Sequence, residues 1–126
     1  MRRLLLLLSL IVWLLLVAAC SRPVPVFTSF DVAKWRADRN GCAGYRAASL
    51  TELKSKQEEL LGLEEMQIIE LLGRPDQNEL YKRNQKFYYY WLNPSQDCDS
   101  THVAGTTLRL AIRFNAMGLA KEVTIE

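Results

Sequence analysis

The order of patterns along the 126-residue chain predicts an α+β fold, with two or three N-terminal helices packed on one face of a three-stranded antiparallel meander. Three observations carry this. Apolar residues recur at helical spacing as far as Leu72. The Gly73-Arg74-Pro75 stop ends that pattern, because proline cannot continue a helix. Beyond it the apolar period changes from 3.6 to 2, and the last two runs are joined by a short glycine turn.

Residues 1–19 stand outside this domain. Met1-Arg2-Arg3 is a basic start, and Leu4 to Ala19 is a 16-residue apolar run broken only by Ser9. It ends in Leu16-Val17-Ala18-Ala19-Cys20-Ser21, with small residues before a cleavage point as in a signal peptide. The cysteine directly after them resembles a bacterial lipobox, which implies that Cys20 takes lipid and becomes residue one. The alternative is an uncleaved anchor, for which 16 apolar residues fall just short of the ~17–25 that span a bilayer. Several acyl chains on one cysteine hold firmly, at ~0.8 kcal/mol per buried methylene. Ser21 in place of Asp at the next position resembles an outer-membrane sorting signal. The expected address is the bacterial envelope, lipid-anchored to the outer membrane and facing the periplasm.

Residues 20–28 carry Pro23 and Pro25 and read as a lipidated, extended tether; residues 29–126 form the domain. Ser29 caps an expected helix from Phe30 to about Arg39, stopped by Asn40-Gly41. Phe30, Ala33 and Ala37 share a face, with Trp35 beside them. Gly41 to Arg46 reads as a loop. Ser49 and Glu52 suggest a capping box for a helix from Leu50 to Leu61, with Leu50, Leu53, Gln57, Leu60 and Leu61 inward and Gly62 as its stop. A third helix runs from Glu64 to Leu72, its glutamates in the positive first turn and Met66, Ile68, Ile69 and Leu72 on its buried side. Lys86 to Leu92 is an aromatic strand. Thr106 to Phe114 alternates, with Leu108, Leu110, Ile112 and Phe114 inward and Arg109 and Arg113 outward. Gly118 turns the chain with positive φ, and Leu119 to Ile125 returns with Val123 and Ile125 inward. Glu79 to Lys82 is a further short strand candidate, hairpinned through Arg83-Asn84-Gln85. Asn93 to Gly105 is a long polar connection.

Without residues 1–19 the chain has fourteen basic and fourteen acidic residues. A neutral body argues against a nucleic-acid footprint, which needs clustered Lys and Arg. Cys42 and Cys98 then lie on the oxidising side of the membrane, where an even pair suggests a disulfide; two free buried thiols are the alternative. A metal site is not supported, since His102 is the sole histidine and no Cys-x-x-Cys occurs. Asp97 and Asp99 lack the remaining ligands of a calcium loop. Ser100 and His102 lie too close in one polar loop to converge as a triad with Asp99, and no Gly-x-Ser-x-Gly elbow exists, so no enzyme and no cofactor is expected.

Leu61-Gly62-Leu63-Glu64-Glu65-Met66-Gln67-Ile68-Ile69-Glu70-Leu71-Leu72-Gly73-Arg74-Pro75-Asp76 is similar to the SmpA/OmlA family of small outer-membrane lipoproteins. The likeness continues through Tyr88 to Trp91, Leu108 to Phe114, Gly118, and Val123 to Ile125, so it covers about residues 61 to 126. It implies a fold and a location. It also implies binding of protein partners and lipid rather than catalysis, because the family includes the small accessory lipoprotein of the β-barrel assembly machine. The Cys42/Cys98 pair and the block from Asp31 to Arg46 are not part of the family pattern.

Alternation in Phe87-Tyr88-Tyr89-Tyr90-Trp91 sends Phe87, Tyr89 and Trp91 to one face and Tyr88, Tyr90 and Leu92 to the other. Only one face can lie beneath helices. Tyr88, Tyr90 and Trp91 are therefore candidates for partner binding, against cross-strand packing on the stems of Arg109 and Arg113. Tyr45 and Arg46 form a second candidate patch, against a role locking their loop to the sheet. The expected function is a non-catalytic envelope scaffold that binds another envelope protein and reaches the membrane through its lipid, with outer-membrane protein assembly as the setting that the resemblance implies. The alternative is a membrane-anchored inhibitor or ligand-binding module.

Overall fold

The computed structural model describes residues 1–17, 22–28, 31–99 and 106–126. The element order is helices then strands, as the period change requires, and the fold is α+β. Helix α1 (Arg2–Val17) is an apolar rod, exposed from Arg2 to Leu15. Its 16 residues reach about 24 Å at 1.5 Å per residue, short of a ~30 Å hydrocarbon core. Among the described residues no helix is long and apolar enough to cross a membrane.

The domain proper has α2 (Val32–Ala37), α3 (Tyr45–Ala48), α4 (Leu50–Lys56) and α5 (Glu65–Leu72). It continues with β1 (Gln77–Tyr81), β2 (Gln85–Trp91), β3 (Arg109–Phe114) and β4 (Ala120–Ile125). The strands form one antiparallel sheet in the order β1-β2-β3-β4. The expected three-stranded meander thus gains a fourth strand at its edge, from the short Glu79 to Lys82 candidate. Its turn is tight because Arg83 and Asn84 both take left-handed backbone, with φ of 58° and 59°. The right-handed twist of the flanking strands favours such turns.

Helix ends follow side-chain chemistry that the sequence only partly revealed. Asp31, not Ser29, caps α2, accepting from the N–H groups of Ala33 (2.8 Å) and Lys34 (3.3 Å); Ser29 and Phe30 lie outside the described residues. The capping box expected at Ser49 and Glu52 does not form. Ser49 Oγ instead donates to Tyr45 O at 3.0 Å, and Glu52 Oε1 accepts from Thr28 N at 3.1 Å. A real capping box sits at the start of α5, between Glu64 and Gln67. The long second helix stops at Lys56 and tightens into a 3-10 turn over Gln57–Leu60. The loop expected at Gly41 to Arg46 ends inside α3, which places Arg46 in the interior.

The core lies between the helices and one sheet face. Trp35, Leu53, Leu60, Leu63, Ile68, Leu72, Tyr90, Leu110, Ile112 and Phe114 are fully buried in it. Register makes this inner face continuous: Tyr88 pairs with Ile112 and Tyr90 with Leu110. Phe27, assigned by sequence to the tether, joins the same cluster. Met66 departs from the expected helix stripe and is 61% exposed, because Ile68, Leu71 and Leu72 already fill the space under α5.

Candidate functional site

The aromatic run in β2 is divided by its own pleat. Tyr88 and Tyr90 point inward, and each hydroxyl finds a hydrogen-bond partner at the edge of the core, as a phenol taken out of water requires. Tyr88 donates to Glu65 Oε2 at 3.0 Å and Tyr90 to Gly73 O at 2.9 Å. Burial, with Glu65 beside it, raises the Tyr88 phenol from 10.0 to about 12. Burial likewise pushes Tyr90 well above the ordinary tyrosine range. Both therefore leave the candidate binding surface: the inner face had to be filled, and these rings fill it.

The opposite face carries Phe87, Tyr89 and Trp91, none of which belongs to the core cluster. Tyr81 meets Phe87 edge-on at 5.6 Å, and Phe87 stacks on Tyr89 at 5.7 Å. The Arg109 guanidinium then lies 4.0 Å over the Tyr89 ring and 5.6 Å from Trp91. Glu126 holds Arg109 in place through contacts at 2.7 and 3.0 Å. Arg113 is held by Glu122 at 2.9 Å and by Gln85 at 3.0 Å. The result is a strip of aromatic rings crossed by paired charges. Tyr89 is buried beneath its neighbours, whereas Phe87 and Trp91 are half-exposed and Tyr81 is exposed. The stacking on arginine stems weighed from sequence is present, and it leaves the outer aromatics reachable at their edges. Of this strip only Trp91 is among the binding candidates that the sequence offers; Tyr81, Phe87 and Tyr89 are not. Alternation alone could not say which face the helices would cover.

Arg46 is the largest departure from a surface role. It is fully buried, with its guanidinium 5.1 Å from the Trp35 ring and 5.8 Å from the Tyr90 ring. Its Nη1 donates to Asp76 Oδ2 and to Trp91 O, and its Nε to Trp35 O at 3.1 Å. Asp76 also accepts from the backbone N–H groups of Asn40 (3.1 Å) and Trp91 (2.8 Å). Asp38 completes the cluster, accepting from Ala43 N at 2.6 Å and Arg46 N at 2.8 Å. One buried ion pair thus joins the N-terminal helices, the turn before β1 and the end of β2. This is the locking role weighed against a binding role for Arg46. Tyr45 is half-buried; its hydroxyl accepts from Asp31 N at 2.7 Å, and Lys34 lies 5.8 Å from its ring. It lines an open groove of about 630 Å³ together with Thr28, Ser49, Glu52 and Lys56.

Cys42 and Cys98 form a disulfide, with Cα atoms 5.6 Å apart, inside the usual range. It fastens the connection after β2 to the turn preceding α3. Gly41, one residue earlier, has φ of 68°, and a β-carbon there would stand 2.5 Å from Asn93 O, so the two segments meet backbone to backbone. Cys20 and His102 lie outside the described residues. Among the described residues no three metal-ligating side chains come together. Compared with protein-family models, curated proteins and solved structures, the chain gives no match.

Proposed function

We propose that this chain is a non-catalytic lipoprotein of the bacterial outer membrane, anchored through Cys20, that holds another envelope protein against the open face of its sheet. The observation that carries the reading is the strip of Tyr81, Phe87, Tyr89 and Trp91 crossed by Arg109 on the face away from the core. Aromatic and arginine side chains are enriched where protein interfaces concentrate their energy. Here their geometry is already set, so a partner would pay little to order them. Resemblance to the SmpA/OmlA family favours a partner involved in outer-membrane protein assembly.

The test is in vivo crosslinking of tagged, lipidated protein, gentle solubilisation and mass spectrometry of what is captured. Barrel-assembly components are the expected result, and Trp91→Ala should reduce their recovery several-fold while the protein melts near the wild-type temperature. Recovery unchanged by Trp91→Ala and by Phe87→Ser would refute the open face as the binding surface. An anchored inhibitor or ligand-binding module differs in a separate readout, because its activity survives removal of the Cys20 anchor.

A further inference from the structure

The path by which the chain leaves the domain says which end meets the membrane. Residues from Arg22 onward do not form a free leash. Phe27 is in the core, and Arg22 O accepts from Gln67 Nε2 at 3.1 Å. A β-carbon on Gly62 would stand 2.6 Å from the Arg22 guanidinium, so that side chain lies against Gly62. Arg22 is thereby placed at the start of α5. Only Ser21 separates it from Cys20, which keeps the two Cα atoms within about 7 Å of one another.

The same end of the domain carries two exposed methionines. Glu65 N donates to Gly118 O at 3.1 Å, which brings the first turn of α5 to the β3–β4 turn. Met66 on the first and Met117 on the second are 61% and 83% exposed, and both line one shallow cleft of about 260 Å³. Single exposed apolar side chains need no explanation. Two adjacent ones beside the point where the chain departs toward its anchor do. The acidic groups nearby are engaged within the protein: Glu64 in the capping box, Glu65 with Lys86 and Tyr88. Arg22 is exposed, and its guanidinium suits a phosphate.

We propose that this corner seats on the lipid surface, with Met66 and Met117 reaching the headgroup–acyl boundary and Arg22 at the level of the phosphates. The proposal rests on the reading of Cys20 as the lipid attachment site. Methionine suits the position, being apolar and flexible enough to fit an irregular surface. The consequence is a defined orientation. Strand β2 then runs away from the membrane, from Gln85 to Trp91, which puts Trp91 and the disulfide at the distal end.

The test uses full-length chain processed and lipidated in a bacterial host, with Met66→Cys, Met117→Cys and, as a membrane-distal reference, exposed Ala47→Cys. Each is labelled with a polarity-sensitive fluorophore and reconstituted into protein-free vesicles of phosphatidylethanolamine and phosphatidylglycerol. The expected result is a several-fold rise in emission at positions 66 and 117, quenched by lipid spin-labelled near the headgroup, with no change at 47. Labels at 66 and 117 that report water while the acylated protein floats with the vesicles would overturn the docking and leave the lipoprotein reading standing. An N-terminal peptide without acyl mass would overturn both.

Discussion

Replacing Asp76 by Asn tests the buried cluster most directly. Both side chains of the Arg46–Asp76 pair are fully shielded from water, so the carboxylate is the main compensation for a guanidinium in the core. An amide cannot substitute for it. It is neutral, and its NH₂ group would face a donor wherever the carboxylate now accepts from both Asn40 N and Trp91 N. Removing one partner of such a pair costs about 3–5 kcal/mol, because the other charge is left buried and uncompensated. Residues 22–126 make a domain of about 105 residues. At ~2.1 cal/mol/K per residue, each kcal/mol moves its melting temperature by about 4.5 °C. The expected loss is therefore roughly 13–23 °C, read by circular dichroism at neutral pH with the disulfide intact. Arg46 Nη2 is buried without a hydrogen-bond partner among the described residues, so the pair is incompletely compensated to begin with. Arg46→Met combined with Asp76→Asn should accordingly melt above Asp76→Asn alone, a coupling that a double-mutant cycle measures. If Asp76→Asn melts within a few degrees of wild type, the reasoning about charge burial here is wrong.

Further expectations concern the crosslink, the alkaline limit and the first hairpin. Cys42→Ser removes a bridge across 56 residues, worth about 4 kcal/mol in the chain-entropy model; reductant should lower the wild-type melting temperature to match and leave the mutant unchanged. Tyr88 holds its proton longer when folded, with its phenol raised from 10.0 to about 12, so the stability it contributes is complete below pH 10 and lost as pH rises toward 12. Melting temperature against pH should fall across that window, and Glu65→Gln should move the late tyrosinate absorbance step to lower pH. Asn84→Gly, at a φ of 59°, should raise stability by about 0.5–1 kcal/mol in urea titrations, because glycine adopts that backbone without a β-carbon clash.

Much of this architecture is legible in local pattern. The Leu71-Leu72-Gly73-Arg74-Pro75 stop, the alternation from Leu108 to Phe114 and the Gly118 turn follow from spacing or backbone chemistry, the Cys42–Cys98 bridge follows from an even cysteine pair expected in an oxidising setting, and the α+β class follows from the order of the elements. Capping is less legible. Ser49 had a suitable partner three residues on, yet Glu52 is drawn to Thr28, whose proximity no local rule contains. The exposed aromatic face is legible only as two alternatives, because period-2 alternation separates Phe87, Tyr89 and Trp91 from Tyr88 and Tyr90 without saying which set lies under the helices. That choice depends on the register with β3, which aligns Tyr88 and Tyr90 with Ile112 and Leu110. Arg46 is the sharpest case. In sequence it is a charged residue after two glycines, where solvent is the default for a cation. In the fold it becomes a core residue because Asp76, thirty positions away, and the Trp35 and Tyr90 rings meet it there. Local chemistry determined where elements start, stop and turn. Only the three-dimensional structure could decide which polar groups would be buried, since burial depends on partners that are distant in the chain.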